Sequence, residues 1–213
     1  MSAKRQRLRD ISLVVRPGTP EWPGDTPFSC RWTWEMAKGA SVNVSALQMS
    51  PHVGTHADAP LHVRDGWPAS DELDTDRFIG PAVVIGVEGR AGPIESDSLA
   101  RRLPRRVDRL LLRTGRTIAA GAFPDAWPAI TPACVEWLVG RGLTLLGVDA
   151  PSVDDRQSKT LDTHRALFDA GVAIVENLDL RDVSDGPYEL IALPMRIAGL
   201  DAAPVRAVLV EAG

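Results

Sequence analysis

Short runs of apolar residues recur along this chain of 213 residues, and glycine, proline or polar residues bound each run. Several runs are apolar throughout, which is typical of strands that are buried on both faces. The segment 41–50 instead alternates apolar and polar residues with the period of two that indicates a half-buried strand. The pattern predicts strands at 11–15, 41–50, 81–87, 109–114, 143–149, 171–178, 188–197 and 205–210.

Three further segments carry the signals of helices, at 96–103, 131–142 and 162–171. Thr131 is expected as an N-cap, with Pro132 as the first helical residue. Asp162 or Thr163 is expected to cap the third helix, and Gly171 to end it. Because strands outnumber helices, we expect an α/β or α+β domain with a large mixed sheet. The length favours one domain over residues 1–213.

A long stretch without regular structure is predicted at 16–28, which is dense in proline and glycine. Loops of this length inside a compact domain often carry function. The composition, 44% hydrophobic and 24% charged, is ordinary for a globular protein and adds no further constraint.

The net charge of −4 gives no overall footprint for nucleic acid, although basic residues cluster at 4–9 and 101–116. Such clusters could form a polyanion site. No aromatic residue interleaves the arginines to stack on bases, so solvated helix, loop and strand ends are the preferred interpretation. We therefore expect no nucleic-acid partner.

Cys30 and Cys134 are far apart and form no CxxC motif, which fits a reducing compartment. No run approaches the roughly 18 apolar residues of a membrane span. The basic start is not followed by the apolar stretch of a signal peptide. We expect a cytoplasmic protein with no membrane partner.

Three of the four histidines fall in the segment 52–62, HVGTHADAPLH, with an aspartate between them. Gly54 and Pro60 argue against a helix in this segment. In an extended chain, positions of equal parity share a face, unless the backbone at Gly54–Thr55 breaks the register. The polar residues that would then converge are His52, His56, Asp58 and His62.

Imidazole nitrogens and a carboxylate are natural ligands of zinc or a similar divalent ion. The alternative is a set of surface or hydrogen-bonded histidines, and three in one short segment argue against it. His164 becomes relevant only if the fold brings it to the cluster. Because GxSxG, P-loop and GxGxxG motifs are missing from the sequence, water activated by a metal is a simpler nucleophile than a serine.

The segment 52–62 resembles the H-x-G-T-H-x-D-x-P-x-H signature of the metal-dependent cyclase-type hydrolases. The tracts TPEWPGDTPF, DAPSVDDRQSKTLDTH and YELIALPMRIAGLDAAPVRAVL resemble the bacterial kynurenine formamidases, or arylformamidases, of this family. The resemblance covers the chain from about residue 10 to about residue 210. It implies a swivelling β/β/α-type single domain with a mostly antiparallel mixed sheet, usually as a homodimer.

The resemblance also implies a binuclear centre of two divalent metal ions, most often Zn²⁺. By this resemblance, His52, His56 and Asp58 would bind the first ion, and Asp58 would also reach the second. His164 would bind the second ion, and Glu176 would bridge both. From the residues alone, Glu176 is a carboxylate at the end of an apolar strand, and an exposed strand end is the preferred interpretation.

The same resemblance implies that His62 donates and accepts protons and that Trp22 lines the substrate pocket. From the sequence alone, Trp22 could equally pack on the core. The expected reaction is the hydrolysis of the small molecule N-formyl-L-kynurenine to L-kynurenine and formate, in tryptophan degradation. One alternative is a related hydrolase of another amide, such as isatin. Another is a binding protein with a structural metal, which would need a closed set of four ligands.

Overall fold

The computed structural model describes residues 7–90 and 92–211, so Lys4 and Arg5 of the predicted basic cluster lie outside the described residues. The strands of these two ranges are β1 (Leu8–Asp10), β2 (Ser29–Trp34), β3 (Val44–Gln48), β4 (His56–Asp58), β5 (Ile79–Gly86), β6 (Arg109–Arg113), β7 (Leu145–Val148), β8 (Ala173–Glu176), β9 (Gly186–Ile191), β10 (Ala202–Pro204) and β11 (Val208–Val210). The α-helices are α1 (Ser96–Leu99), α2 (Pro132–Val139) and α3 (Asp162–Asp169).

Nine strands form one mixed sheet in the order β1-β11-β9-β5-β6-β7-β8-β4-β10. The neighbours from β5 to β8 are parallel. The other five pairs are antiparallel, including both pairs that β4 makes, with β8 and β10. The expected fold, a mostly antiparallel mixed sheet in an α/β protein, is therefore confirmed.

The central strands are buried on both faces, as their unbroken apolar sequences predict. Leu110 and Leu112 of β6 pack in the core cluster that contains α2 and α3, whereas Leu111 packs in the cluster on the opposite face. This division follows from the alternation of side chains along a strand. Two apolar layers thus pack against the two faces of the sheet to which β4 belongs.

The predicted strand at 11–15 is wrong in its position. β1 ends at Asp10, and Ser12 makes only an isolated bridge to Leu178. Ile11 is fully buried, but its amide donates to Ala207 and its carbonyl accepts from Asp179, so the chain crosses between strands there. An apolar run cannot distinguish such a crossing from a strand.

The segment 41–50 contains β3, but the expectation that this strand is half-buried is wrong. β3 pairs with β2, a strand that the sequence reasoning missed, in a separate two-stranded sheet. Its side chains are largely exposed, and so are those of its partner: Trp32 is 57% exposed, Trp34 58% and Leu47 68%. We call residues 29–48 the hairpin arm.

The predicted caps are right for α2 and wrong for α3. The Thr131 hydroxyl accepts from the amide of Cys134, as expected of an N-cap. In α3, neither Asp162 nor Thr163 is the cap, because Leu161 occupies that position in the left-handed conformation without a side-chain bond. A carboxylate from outside the helix accepts from its first amides instead.

The arginines between residues 101 and 116 are largely engaged with partners inside the molecule. Arg102 and Arg113 both pair with Asp185. Arg109 is buried and donates to the backbone carbonyls of Asp76 and Arg77. These contacts agree with the structural interpretation of the cluster.

Two other observations bear on the expectations from composition. Cys30 and Cys134 are both free thiols, the first exposed and the second buried. None of the helices in the described ranges is long and apolar enough to cross a membrane.

Candidate metal centre

The histidine segment is extended only over β4, between two turns of different kinds. Gly54, in the turn before β4, has a φ of +78°, a left-handed conformation that breaks the strand register. His62 ends a 3-10 helix, Pro60–His62, on the other side of β4. The predicted extended geometry is therefore wrong outside residues 56–58. The side chains still converge, because both flanks fold back towards the same face of β4.

The first group of donors lies around one oxygen of Asp58. The Asp58 Oδ1 atom is 3.2 Å from His52 Nδ1 and 3.4 Å from His56 Nε2. The two imidazole nitrogens are 3.1 Å apart. Three potential ligand atoms thus share one small volume.

A second group lies on the other side of the same carboxylate. His164 Nε2 is 3.3 Å from Asp58 Oδ2 and 3.3 Å from Glu176 Oε1. The other oxygen of Glu176 lies 3.7 Å from His56 Nε2. Glu176 reaches the site because β8 pairs with β4 in a register that places it opposite His56. The fold therefore brings His164 and Glu176 to the histidine segment, from over a hundred residues away.

Hydrogen bonds fix the orientation of two imidazole rings. His56 Nδ1 donates to the Gly54 carbonyl at 2.9 Å, and His164 Nδ1 donates to Asp154 Oδ2 at 2.6 Å. The same Asp154 carboxylate accepts from the amides of Thr163 and His164, and so it caps α3. When the rings are neutral, this tautomer directs the lone pair of each Nε2 into the site, an arrangement typical of metal ligands.

Asp201 belongs to the site although sequence reasoning did not single it out. Its Oδ2 atom lies 2.9 Å from His52 Nε2 and 3.3 Å from His62 Nδ1. Asp201 immediately precedes β10, and β10 pairs with β4 through Ala202 opposite Asp58. This pairing of distant short strands is what brings it to the histidines, and the sequence around it carries no motif.

The electrostatics of the cluster favour added positive charge. Burial alone would lower the pKa of His52, but the carboxylates of Asp201 and Asp58 outweigh it and raise that pKa to about 10. The pKa of His164 is likewise raised well above its ordinary value, because the carboxylates around it, Asp154 first, outweigh its burial. For Asp58, burial opposes ionisation, yet the neighbouring histidines hold its pKa well below the usual range. Bound protons or a metal ion would supply this positive charge.

The residues present fit a divalent metal. Asp58 is fully buried, and none of the nearby groups in the described part of the chain, the two imidazoles included, has the geometry to donate a hydrogen bond to its Oδ1 atom. An ionised oxygen without a partner in such a place is costly unless a cation balances it. Nitrogen and oxygen donors without sulfur suit zinc and similar ions.

The cluster lies at the wall of a cavity of about 580 Å³, a size typical of small-molecule sites. Trp22 lines this cavity together with Phe123. The Trp22 ring meets Phe123 edge to face at 5.4 Å and Trp127 at 6.1 Å. Both interpretations of Trp22 therefore apply, since it packs on other aromatic rings and also faces the cavity.

Comparisons with known proteins agree with this geometry. A family model described as "Putative cyclase" matches residues 9–155. The chain is 45% identical over 206 residues to the kynurenine formamidase of Bordetella pertussis. This match covers 97% of this chain and 99% of that protein. It is 27% identical to a solved structure from Bacillus stearothermophilus, named a "predicted metal-dependent hydrolase", with a TM-score of 0.83 over 98% of this chain and 100% of the other. Isatin hydrolase A from Ralstonia solanacearum shares the fold, with a TM-score of 0.80 at 22% identity over 97% of this chain and 92% of that one.

Proposed function

The chain belongs to the cyclase family, and from that membership we propose that it is a metal-dependent arylformamidase. It hydrolyses N-formyl-L-kynurenine to L-kynurenine and formate. The observation that carries this conclusion is the 45% identity to a kynurenine formamidase over nearly the full length of both proteins. The similarity to isatin hydrolase A is at the level of fold, and it does not favour isatin as the substrate. We assign the reaction to tryptophan degradation. We also assign residues 1–213 to a single domain.

We propose two divalent ions, and zinc as their identity. His52, His56 and Asp58 would hold one ion, while Asp58 and His164 would hold the other, with Glu176 between the two. The support is that Asp58 and Glu176 each direct one oxygen towards His56 and one towards His164. A purely structural ion would need a closed ligand set, whereas several of these residues line an open cavity.

When bound, the metal acts as a Lewis acid that polarises the formyl carbonyl and makes water more acidic. His62 lines the cavity beside the cluster, and its Nδ1–H donates to Asp201. This hydrogen bond leaves Nε2 of His62 with a lone pair. The ring accepts the proton of the attacking water there and returns it to the aniline nitrogen as the C–N bond breaks.

The aromatic wall positions the aryl ring of the substrate. Trp22 and Phe123 present apolar surface to the cavity, and aromatic contacts of this kind favour edge-to-face or offset geometries. The four histidines form another part of the lining, and we place the small formyl group of the substrate beside them.

We further propose a homodimer that uses the hairpin arm. The arm carries Trp32, Trp34 and Leu47, each more than half exposed. Large exposed apolar side chains on one short hairpin are more typical of protein interfaces than of solvated hairpins.

The test of the proposed function is an assay of the purified protein with N-formyl-L-kynurenine, before and after chelation and after zinc is restored. We expect hydrolysis that chelation removes and zinc restores. Isatin serves as the parallel substrate, with slow or no turnover expected. Turnover of isatin but not of N-formyl-L-kynurenine would refute the proposed substrate, while the assignment to the cyclase family would stand.

A further inference from the structure

The cavity has a polar lining besides the metal cluster and the aromatic wall. Its charged residues come from two loops: Asp25 lies in the proline-rich loop, and 156–159 follows β7 and precedes α3. Three charged side chains belong to this lining: Asp25, Arg156 and Lys159. None of them is within the metal-ligand groups of the site.

The charge of Arg156 is already balanced. Its Nη1 atom is 3.0 Å from Asp125 Oδ1 and 3.3 Å from the Pro124 carbonyl, and its guanidinium carbon lies 5.4 Å from the centre of the Phe123 ring. Arg156 therefore acts on the aromatic wall, holding the segment that carries Phe123 in place.

Lys159 and Asp25 differ from Arg156 in this respect. In the part of the chain that the structure describes, neither makes a salt bridge. The Asp25 carboxylate accepts the amide of Thr26 at 2.6 Å, which leaves its charge uncompensated. The cavity thus presents one unbalanced cation and one unbalanced anion to whatever occupies it.

A pair of opposite charges on one cavity matches an α-amino acid in its zwitterionic form. We propose that Lys159 binds the α-carboxylate and Asp25 the α-ammonium of the substrate's amino-acid end, so that these two residues set specificity for an amino-acid side chain bearing the aryl formamide. This assignment rests on the proposed function. It goes beyond it by naming how the non-reacting end of the substrate is recognised.

The role is one of binding rather than chemistry. Contacts made equally in the ground state and the transition state lower KM and leave kcat unchanged. Lys159 is exposed, so water and salt screen its interaction. We expect each contact to change KM by about fivefold, the effect of an exposed ion pair of favourable geometry.

The experiment crosses two variants with four substrates on the zinc-loaded, full-length protein. The variants are Lys159→Gln and Asp25→Asn. The substrates are N-formyl-L-kynurenine, its analogue without the carboxylate, its analogue without the amino group, and 2-formamidoacetophenone, which lacks both. Zinc content and circular dichroism establish that each variant is folded and loaded.

We expect Lys159→Gln to raise KM about fivefold for the two substrates that carry the carboxylate and to leave the other two unchanged. Asp25→Asn should act only on the two that carry the ammonium. The wild-type protein should show the same loss when the carboxylate is removed from the substrate, a measurement that needs no variant. Lys38→Gln is the matched control, because Lys38 is exposed, pairs with Glu35 and does not line the cavity.

Two outcomes would overturn the inference while the proposed function stands. One is wild-type hydrolysis of all four formamides with equal KM. The other is an increase in KM in Lys159→Gln that is the same for all four substrates. Failure of the zinc-loaded wild type to hydrolyse any of the four formamides would instead overturn the proposed function itself.

Discussion

Asp58 is the residue on which both groups of donors depend. Each of its oxygens faces a different set of histidines, and the whole side chain is buried. We expect Asp58→Ala to lose the metal and the activity together, because the two donor groups lose their common ligand. Metal analysis of the purified variant, beside its activity on N-formyl-L-kynurenine, checks this. Asp65→Ala, at an exposed position, should match the wild type, and full metal content in Asp58→Ala would contradict the assignment.

His62 should separate activity from metal binding. It contacts Asp201, whereas the other three histidines also approach the oxygens of Asp58. We expect His62→Ala to keep its metal and to lose activity by about 10²- to 10⁴-fold, the range for removal of a general acid–base group. The ratio of metal to protein and kcat are the two measurements. Metal loss in this variant would make His62 a ligand instead.

At the scale of single residues, the sequence predicted the side chains that carry a motif and missed those that support them. His52, His56 and Asp58 share one short segment, so their proximity required little of the fold. Asp154 contacts the ring of one histidine and Asp201 the rings of two, and only the tertiary structure brings these aspartates to the site. A lone aspartate has too many structural explanations for a sequence to favour this one.

At the scale of elements, the turn before β4 has a conformation that a glycine alone adopts easily. A Cβ at Gly54 would lie 2.5 Å from Val15 Cγ2, and the φ of +78° adds strain for any other residue. Gly66, at φ +75°, has open space around it. We expect Gly66→Ala to cost about 1–2 kcal/mol of unfolding free energy, from the left-handed conformation alone.

Gly54→Ala should cost more and should also weaken metal binding, because the displaced turn carries His52 and the carbonyl that orients His56. Urea unfolding of the metal-free variants and a zinc competition titration measure the two effects. Equal behaviour of the two alanine variants would show that the close approach to Val15 is unimportant. Val15→Ala combined with Gly54→Ala should recover part of the loss.

The elements that the sequence predicted well are the ones whose own pattern decides them. β5 to β8 are apolar runs with clear boundaries, and α2 has a cap that the structure confirms. β4 and β10 have three residues each, and they are strands because of the partners beside them. The apolar residues of the hairpin arm look like core residues in the sequence, since exposure depends on where the arm lies.

At the scale of the whole molecule, the hairpin arm predicts self-association. We expect Trp32→Ser combined with Trp34→Ser to shift a dimer to a monomer, because the substitutions remove apolar surface that only a partner could bury. Sedimentation velocity over a range of concentrations is the measurement. Val14→Ser, at a position 81% exposed but outside the arm, is the control and should remain dimeric. A double variant that stays dimeric would place the interface elsewhere.

The order of the strands in the sheet could not be predicted from the sequence alone, although the mixture of strands and helices could. β4 lies between β8 and β10, and nothing in its three residues selects those neighbours. The resemblance to the cyclase-type hydrolases predicted a mostly antiparallel mixed sheet, without an order for its strands. In the folded sheet, the register of β4 places His56 opposite Glu176 of β8 and Asp58 opposite Ala202 of β10.

That position of β4 also has a consequence for how the protein is made. On the ribosome, the histidine segment emerges long before either of its flanking strands, since β8 ends at Glu176 and β10 at Pro204. At about 5–20 residues per second, the wait is on the order of ten seconds. Until then, the early histidines lack the β8 carboxylate that lies beside His56 in the folded protein. The donor groups around Asp58 are therefore complete only once β8 has emerged, and an ion that bound earlier would meet a partial set of ligands.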